Sequence, residues 1–119
     1  MAEISTVNVI TESGLGALTF TSASGSGDKF QNDGRLFVAC KNGNAEGESI
    51  TFTFATQVTS FDSPQYGDAT KANATVVVEP GQIGFIGPFA GEAFNDSDNN
   101  VNISYSATTS VSVAICSFM

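Results

Sequence analysis

Hydrophobic and polar residues alternate in short runs along most of this chain, the period-two pattern of strands with one or two buried faces. Ser49–Thr56 is the clearest case: Ile50, Phe52 and Phe54 point one way, Thr51 and Thr53 the other. Arg35–Lys41 sets Leu36, Val38 and Cys40 against Phe37 and Ala39. Val111–Phe118 sets Val111, Val113 and Ile115 against Ala114, Cys116 and Phe118. Apolar residues on both faces predict strands covered from two sides. Glu3–Thr11, Ala17–Thr21 (Leu18 and Phe20 on one face) and Val101–Ser106 read as further strands. Asn73–Glu79 and Gln82–Phe89 flank Pro80-Gly81, a type II turn signal, and together predict a central hairpin.

Between these runs stand Ser13-Gly14, Asn32-Asp33-Gly34 and Asn42-Gly43-Asn44, residue types that accept turn conformations. Ser22–Asp28 holds too little apolar surface to pack and reads as a loop. Gln57–Lys71 is the longest irregular stretch, and a connection of that length is often functional. Its Phe61 and Tyr66 either pin it to the body or offer a contact surface. The sum is about eight short strands with no convincing helix. That predicts an all-β fold: a single antiparallel β-sandwich, jelly-roll-like, forming one domain over residues 1–119. Residues 1–12 are expected to be an edge strand or an N-terminal arm.

Composition agrees with that fold. Ten Phe and no Trp accompany an apolar fraction of 41%, enough to form a core and too much for disorder. The net charge is −8, with only Lys29, Arg35, Lys41 and Lys71 as cations. So few scattered cations cannot neutralise a run of phosphates, which excludes nucleic acid and disfavours an anionic membrane surface. No apolar stretch is long enough to span a bilayer. The N-terminal residues lack the basic and apolar regions of a signal peptide, and synthesis in a cytoplasm is expected.

Chemistry is sparse. With no histidine there is no Ser-His or Cys-His pair and no imidazole metal ligand. A carboxylate pair for glycoside cleavage needs a sizeable cleft and usually a larger chain, so neither enzyme activity nor a cofactor is expected. Asp96-x-Asp98-x-Asn100 resembles the start of a calcium loop, but Val101 stands where its glycine belongs and Ala107 where its glutamate belongs. A solvated polar loop is therefore the expectation, and no metal. The glycines of Ser22–Asp28 precede no Gly-Lys-Ser/Thr and open no helix, which argues against phosphate binding. Cys40 and Cys116 fit no metal or redox spacing; they read as buried thiols, and a disulfide requires neighbouring strands.

Several words in order carry a resemblance. They are Gly27–Val38 (with Asn32-Asp33-Gly34-Arg35), Lys41-Asn42-Gly43, Val76–Gly81, Ile86-Gly87-Pro88-Phe89, Phe94-Asn95-Asp96 and Val101–Val111. Over Asp28 to the C-terminus the chain resembles a group of small structural proteins of tailed-bacteriophage virions. It departs from that group in a longer, more aromatic segment from Gln57 and in its two cysteines. The resemblance implies a head decoration (cement) protein on the outer capsid surface, made in the bacterial host cytoplasm, with the major capsid protein as partner. It implies no catalytic residue. A homotrimer or homodimer is expected, since closed symmetry is the rule. The run Ala2–Thr11 precedes a Gly-containing hinge and either adds a strand to a neighbour or forms a plain edge. Ile4, Val7 and Val9 of that run, with Phe61 and Tyr66, are the capsid-contact candidates. The alternatives are another virion part (neck, tail or fibre) and a jelly-roll glycan-binding or adhesion module. The latter usually presents Trp or Tyr to sugar rings, and this chain has no Trp and only Tyr66 and Tyr105.

Overall fold

The computed structural model describes residues 2–57, 61–63, 67–69 and 73–118. Its strands begin with β1 (Ala2–Ile4), β2 (Val7–Ile10), β3 (Thr21–Ser22), β4 (Asp28–Gln31), β5 (Phe37–Asn42) and β6 (Ile50–Phe54). They continue with β7 (Phe61–Ser63), β8 (Gly67–Ala69), β9 (Ala74–Val78) and β10 (Ile83–Ile86). One helical turn, α1 (Gly91–Phe94), precedes β11 (Asn100–Tyr105) and β12 (Val111–Phe118).

The fold is an all-β, jelly-roll-like sandwich. The first sheet runs β1-β4-β11-β6-β9; the second runs β10-β5-β12-β2, with β3 also pairing β12. Among the described residues β7 and β8 pair with each other alone. From β4 to β6 and from β9 to β12 the chain changes sheet at every step, so most pairings join residues far apart in sequence. Both sheets are mixed rather than purely antiparallel, because β1 runs parallel to β4 and β2 parallel to β12. The cause is local. Ser5 and Thr6 carry the chain from one sheet to the other along the same side of the sandwich, so the predicted strand Glu3–Thr11 becomes two edge strands.

The alternation of the strands is as their side chains demand. Ile50, Phe52, Phe54, Phe30, Val101 and Ile103 of the first sheet meet Val38, Cys40, Val111, Val113 and Ile115 of the second in one buried core. Phe89 plugs the end of that core, stacked on Phe54 at a centroid distance of 4.8 Å and edge-on to Phe94 at 5.3 Å. Each such fully buried side chain contributes on the order of 1.5–3 kcal/mol.

The expected central hairpin is not a hairpin. The Pro80-Gly81 turn forms, with Gly81 at φ 77°, but β9 pairs with β6 and β10 with β5. The two runs face each other across the core. A Cβ on Gly84 of β10 would lie 3.2 Å from a methyl of Val78 and 3.4 Å from one of Val76, both on β9. Ala17–Thr21 is likewise no strand before Thr21; it is a cover. Leu18 and Phe20 pack on Ala39, Ala114 and Cys116, on the outer face of the second sheet. Asn8 fastens this cover: its Nδ2 donates to the carbonyls of Thr19 (3.2 Å) and Ile115 (3.0 Å), and its Oδ1 accepts from Thr19 N–H at 2.8 Å.

Candidate protein-contact surface

Residues of alternate parity on β5 share a face, and the outward row is Phe37, Ala39 and Lys41, with Arg35 just before the strand. The cover occupies part of this face. Ala39 lies under it, and Lys41 Nζ sits 5.3 Å from the centre of the Phe20 ring, a cation–π distance. Beyond the cover no other described segment lies over the face. Phe37 stacks on Phe118 at 5.1 Å and tilts against Phe85 at 6.2 Å, while Phe85 and Phe118 are 61% and 68% exposed. With Arg35, Ile86 and Pro88 these rings line a groove of about 340 Å³. Exposed single apolar residues are ordinary, but two exposed rings that both meet Phe37 beside a groove make a contiguous apolar patch, the candidate contact surface.

Gly87 holds the groove's wall. Its φ of 130° is a region L side chains rarely adopt. A Cβ there would come within 2.9 Å of Phe37 Cα and 3.1 Å of the Leu36 carbonyl. The turn at Asn32 anchors the same end: Asn32 Nδ2 donates to the Phe89 carbonyl (2.9 Å) and to Asn95 Oδ1 (2.8 Å), and its Oδ1 accepts from Gly34 N–H at 3.0 Å.

The N-terminal candidates divide. Ile4 points into the core and is 5% exposed, so it presents no surface, whereas Val7 and Val9 are 41% and 44% exposed along the edge strand β2. Beside them a second, more polar groove of about 380 Å³ opens between the sheets, bordered by Glu3, Val7, Asp33 and Leu36. Tyr66 lies outside the described residues, and of Phe61 only the backbone in β7 is described.

Asp96 is held within its own turn. Asp96 Oδ1 accepts the amides of Asp98 (2.9 Å) and Asn100 (3.0 Å), and Oδ2 accepts Asn102 Nδ2 at 3.3 Å. The amide bonds from Asn100 and Asp98 hold this carboxyl below its usual range. No group of three metal-ligating side chains occurs among the described residues. Cys40 and Cys116 are both free and buried, Cys40 on the core face of the second sheet and Cys116 on its covered outer face. Burial pushes the Cys40 thiol up to about 12 and raises Cys116 as well.

The aromatic cluster was not foreseeable from pattern alone. Phe37, Phe85 and Phe118 lie on three different strands, and only the order β10-β5-β12 brings them together. The visible signal was a Phe at an outward position of each run. Comparison with protein-family models, curated proteins and solved structures found no match to this chain.

Proposed function

We propose that this chain is a bacteriophage capsid decoration protein that binds the outer head surface and stabilises contacts between capsomers. One observation carries the reading: words of the resemblance that are far apart in sequence converge in space. Asn32 of Asn-Asp-Gly-Arg bonds both Phe89 of Ile-Gly-Pro-Phe and Asn95 of Phe-Asn-Asp, and Arg35, Ile86 and Pro88 of the same words line the aromatic groove. A β body with a bare aromatic patch at that end suits a protein whose work is adhesion to other subunits. Copies arrayed on a symmetric shell multiply modest contacts through avidity.

The test is co-sedimentation of the purified chain with mature and immature capsid shells of the source phage. Saturable binding to the expanded shell, lost on Phe85→Ser or Phe118→Ser with the β circular dichroism unchanged, is the expected result. Absence of binding to either shell overturns the capsid role and favours a tail part or a glycan-binding module.

A further inference from the structure

We propose that the open edge of β10 pairs with β10 of a second copy of this chain, joining two sandwiches about a two-fold axis. The inference does not rest on the capsid role. Among the described residues β10 ends the second sheet and has β5 as its one sheet neighbour. Asn42 N–H donates to the Gln82 carbonyl at 3.1 Å, and the register continues Gly84↔Cys40 and Ile86↔Val38. In an antiparallel ladder the backbone groups of alternate residues turn to opposite edges. Gln82, Gly84 and Ile86 therefore face β5, and the N–H and C=O of Ile83 and Phe85 face outward.

Among the described residues that edge has only part of the usual protection: β10 is short, at four residues, but it is not blunted by its side chains. Exposed edge strands are normally blunted by charges, a proline or a bulge. β10 contains neither charge nor proline, and its outward side chains, Ile83 and Phe85, are 46% and 61% exposed. The neighbouring edge of the first sheet, β9, is also uncharged and shows Val77 at 58% exposure. Charge permits this occupant. The chain carries −8, so two copies repel over most of their surface, yet from Pro80 to Gly91 there is no charged residue. Along this run, as along other uncharged stretches of the chain such as Ser13–Gly27, a second copy meets no like charge from the strand itself. Antiparallel pairing of the same strand from two copies is self-complementary, as a two-fold interface requires. It satisfies the outward groups of Ile83 and Phe85 and extends the row of exposed Phe85 rings across both subunits.

Sedimentation equilibrium of the full chain, from about 10 μM to about 1 mM, tests this. The expected wild-type mass rises from 12.3 kDa to twice that value with concentration. Phe85→Pro removes the N–H directed at the open edge, a position where strands tolerate proline, together with the ring that tilts against Phe37. Phe85→Ser, which loses the ring and keeps the N–H, is its control and should retain the dimer. Ile83→Lys sets like charges across the axis. Phe85→Pro and Ile83→Lys should each weaken self-association at least about tenfold. Phe118→Ser, which alters the aromatic face but not the edge, should retain the dimer. Hydrogen exchange of the wild type needs no variant: the Ile83 and Phe85 amides should be protected at high concentration and lose protection on dilution. A monomer throughout the range, a dimer unaffected by both edge variants, or concentration-independent exchange at these two amides overturns the proposal.

Discussion

Tyr105 Oη donates to Asp28 Oδ2 at 2.6 Å inside one end of the sandwich, where Asp28 is 1% exposed. The same oxygen accepts Ser24 N–H at 3.1 Å, while Asp28 Oδ1 is buried with no partner. Asp28 thus depends on two donors, and the phenol is the shorter of them. Tyr105→Phe keeps the ring against Phe52 and removes only the hydroxyl, so a loss of about 1–3 kcal/mol is expected in urea unfolding. Restoring near-wild-type stability with the second change Asp28→Asn or Asp28→Leu would identify the stranded carboxylate as the cause.

Alkaline pH should weaken this fold through two groups. Burial, then the hydrogen bond to Asp28, raises the Tyr105 pKa, and burial pushes Cys40 from 9.0 up to about 12. Both groups are neutral when protonated and are held so by the fold. The unfolded chain therefore releases these protons first: Cys40 above about 9 and tyrosine above about 10. Stability is complete below those values and falls as pH rises toward the folded ones, by about 1.4 kcal/mol per pH unit for each proton involved. Urea midpoints at pH 8, 10 and 11 measure the slope. Cys40→Ala should lose about 1 kcal/mol at pH 8 and show a shallower alkaline decline. Because Cys40 and Cys116 lie on opposite faces of the sheet, reductant should leave the wild-type midpoint unchanged, and a thiol reagent should titrate both only after denaturation.

Face assignments were legible in the sequence because they are local. Period two puts Ile50, Phe52 and Phe54 on the inward face and apolar residues on both faces of β5 and β12, although the outer face of those two strands is covered only in part. Partner choice was not, because it depends on residues distant in the chain. The Val76/Val78 and Gly84/Ile86 pattern reads equally well as two strands side by side or as two strands face to face across a core. Only packing against β6 and β5 decides for the second. Asn32 and Asn42 show the same limit in polar residues. Each stands in a turn, as its neighbours suggest, yet each is also buried and ties segments that the sequence leaves far apart. β4 is hidden in the sequence because Asp28 closes the polar run Ser22–Asp28 and Asn32 opens a turn directly after Gln31, yet Asp28 turns inward with Phe30. The aromatic patch needed the strand order, which no local pattern carries.

Asn42 gives a prediction of its own. It is fully buried; its Nδ2 donates to the carbonyls of Val78 (3.1 Å) and Glu48 (3.3 Å), and its Oδ1 accepts Asn44 N–H (3.2 Å) and Asn44 Nδ2 (2.8 Å). It joins β5 of one sheet to the end of β9 in the other. Asn42→Ala strands these groups and should lose about 1–3 kcal/mol. Asn42→Asp is nearly isosteric but cannot donate to Val78, and at neutral pH it buries a charge. It should be the less stable of the two at pH 7 and recover part of the difference at pH 4.

The Asp96 loop should behave as a closed turn. Millimolar calcium is expected to leave Tm unchanged, since the carboxylate oxygens already accept three donors. Asp96→Ala should lower stability at neutral pH. Its wild-type contribution is present above the ordinary carboxylate range and disappears as pH falls through the lowered folded value, so wild type and variant should converge in acid. A calcium-induced rise in Tm would refute this account of the loop.

Gly87 links stability to the contact surface. A side chain there meets two separate obstacles: a φ of 130° and the backbone of Phe37, whose Cα would lie 2.9 Å from the new carbon. Gly14 separates them. Its φ is 84°, but a Cβ would find nothing within 4 Å. Gly14→Ala therefore reports backbone strain alone, about 1 kcal/mol, whereas Gly87→Ala adds a contact with backbone that no rotamer relieves and should lose about 1–3 kcal/mol more. The two variants should also differ in kind. Displacing Phe37 disturbs its stacking on Phe118 and its contact with Phe85, so Gly87→Ala should change the near-ultraviolet dichroism of the phenylalanines and weaken the shell binding proposed for the aromatic groove. Gly14→Ala should do neither. Equal losses in the two variants, with unchanged aromatic dichroism in both, would mean that Gly87 does not hold the wall of the groove.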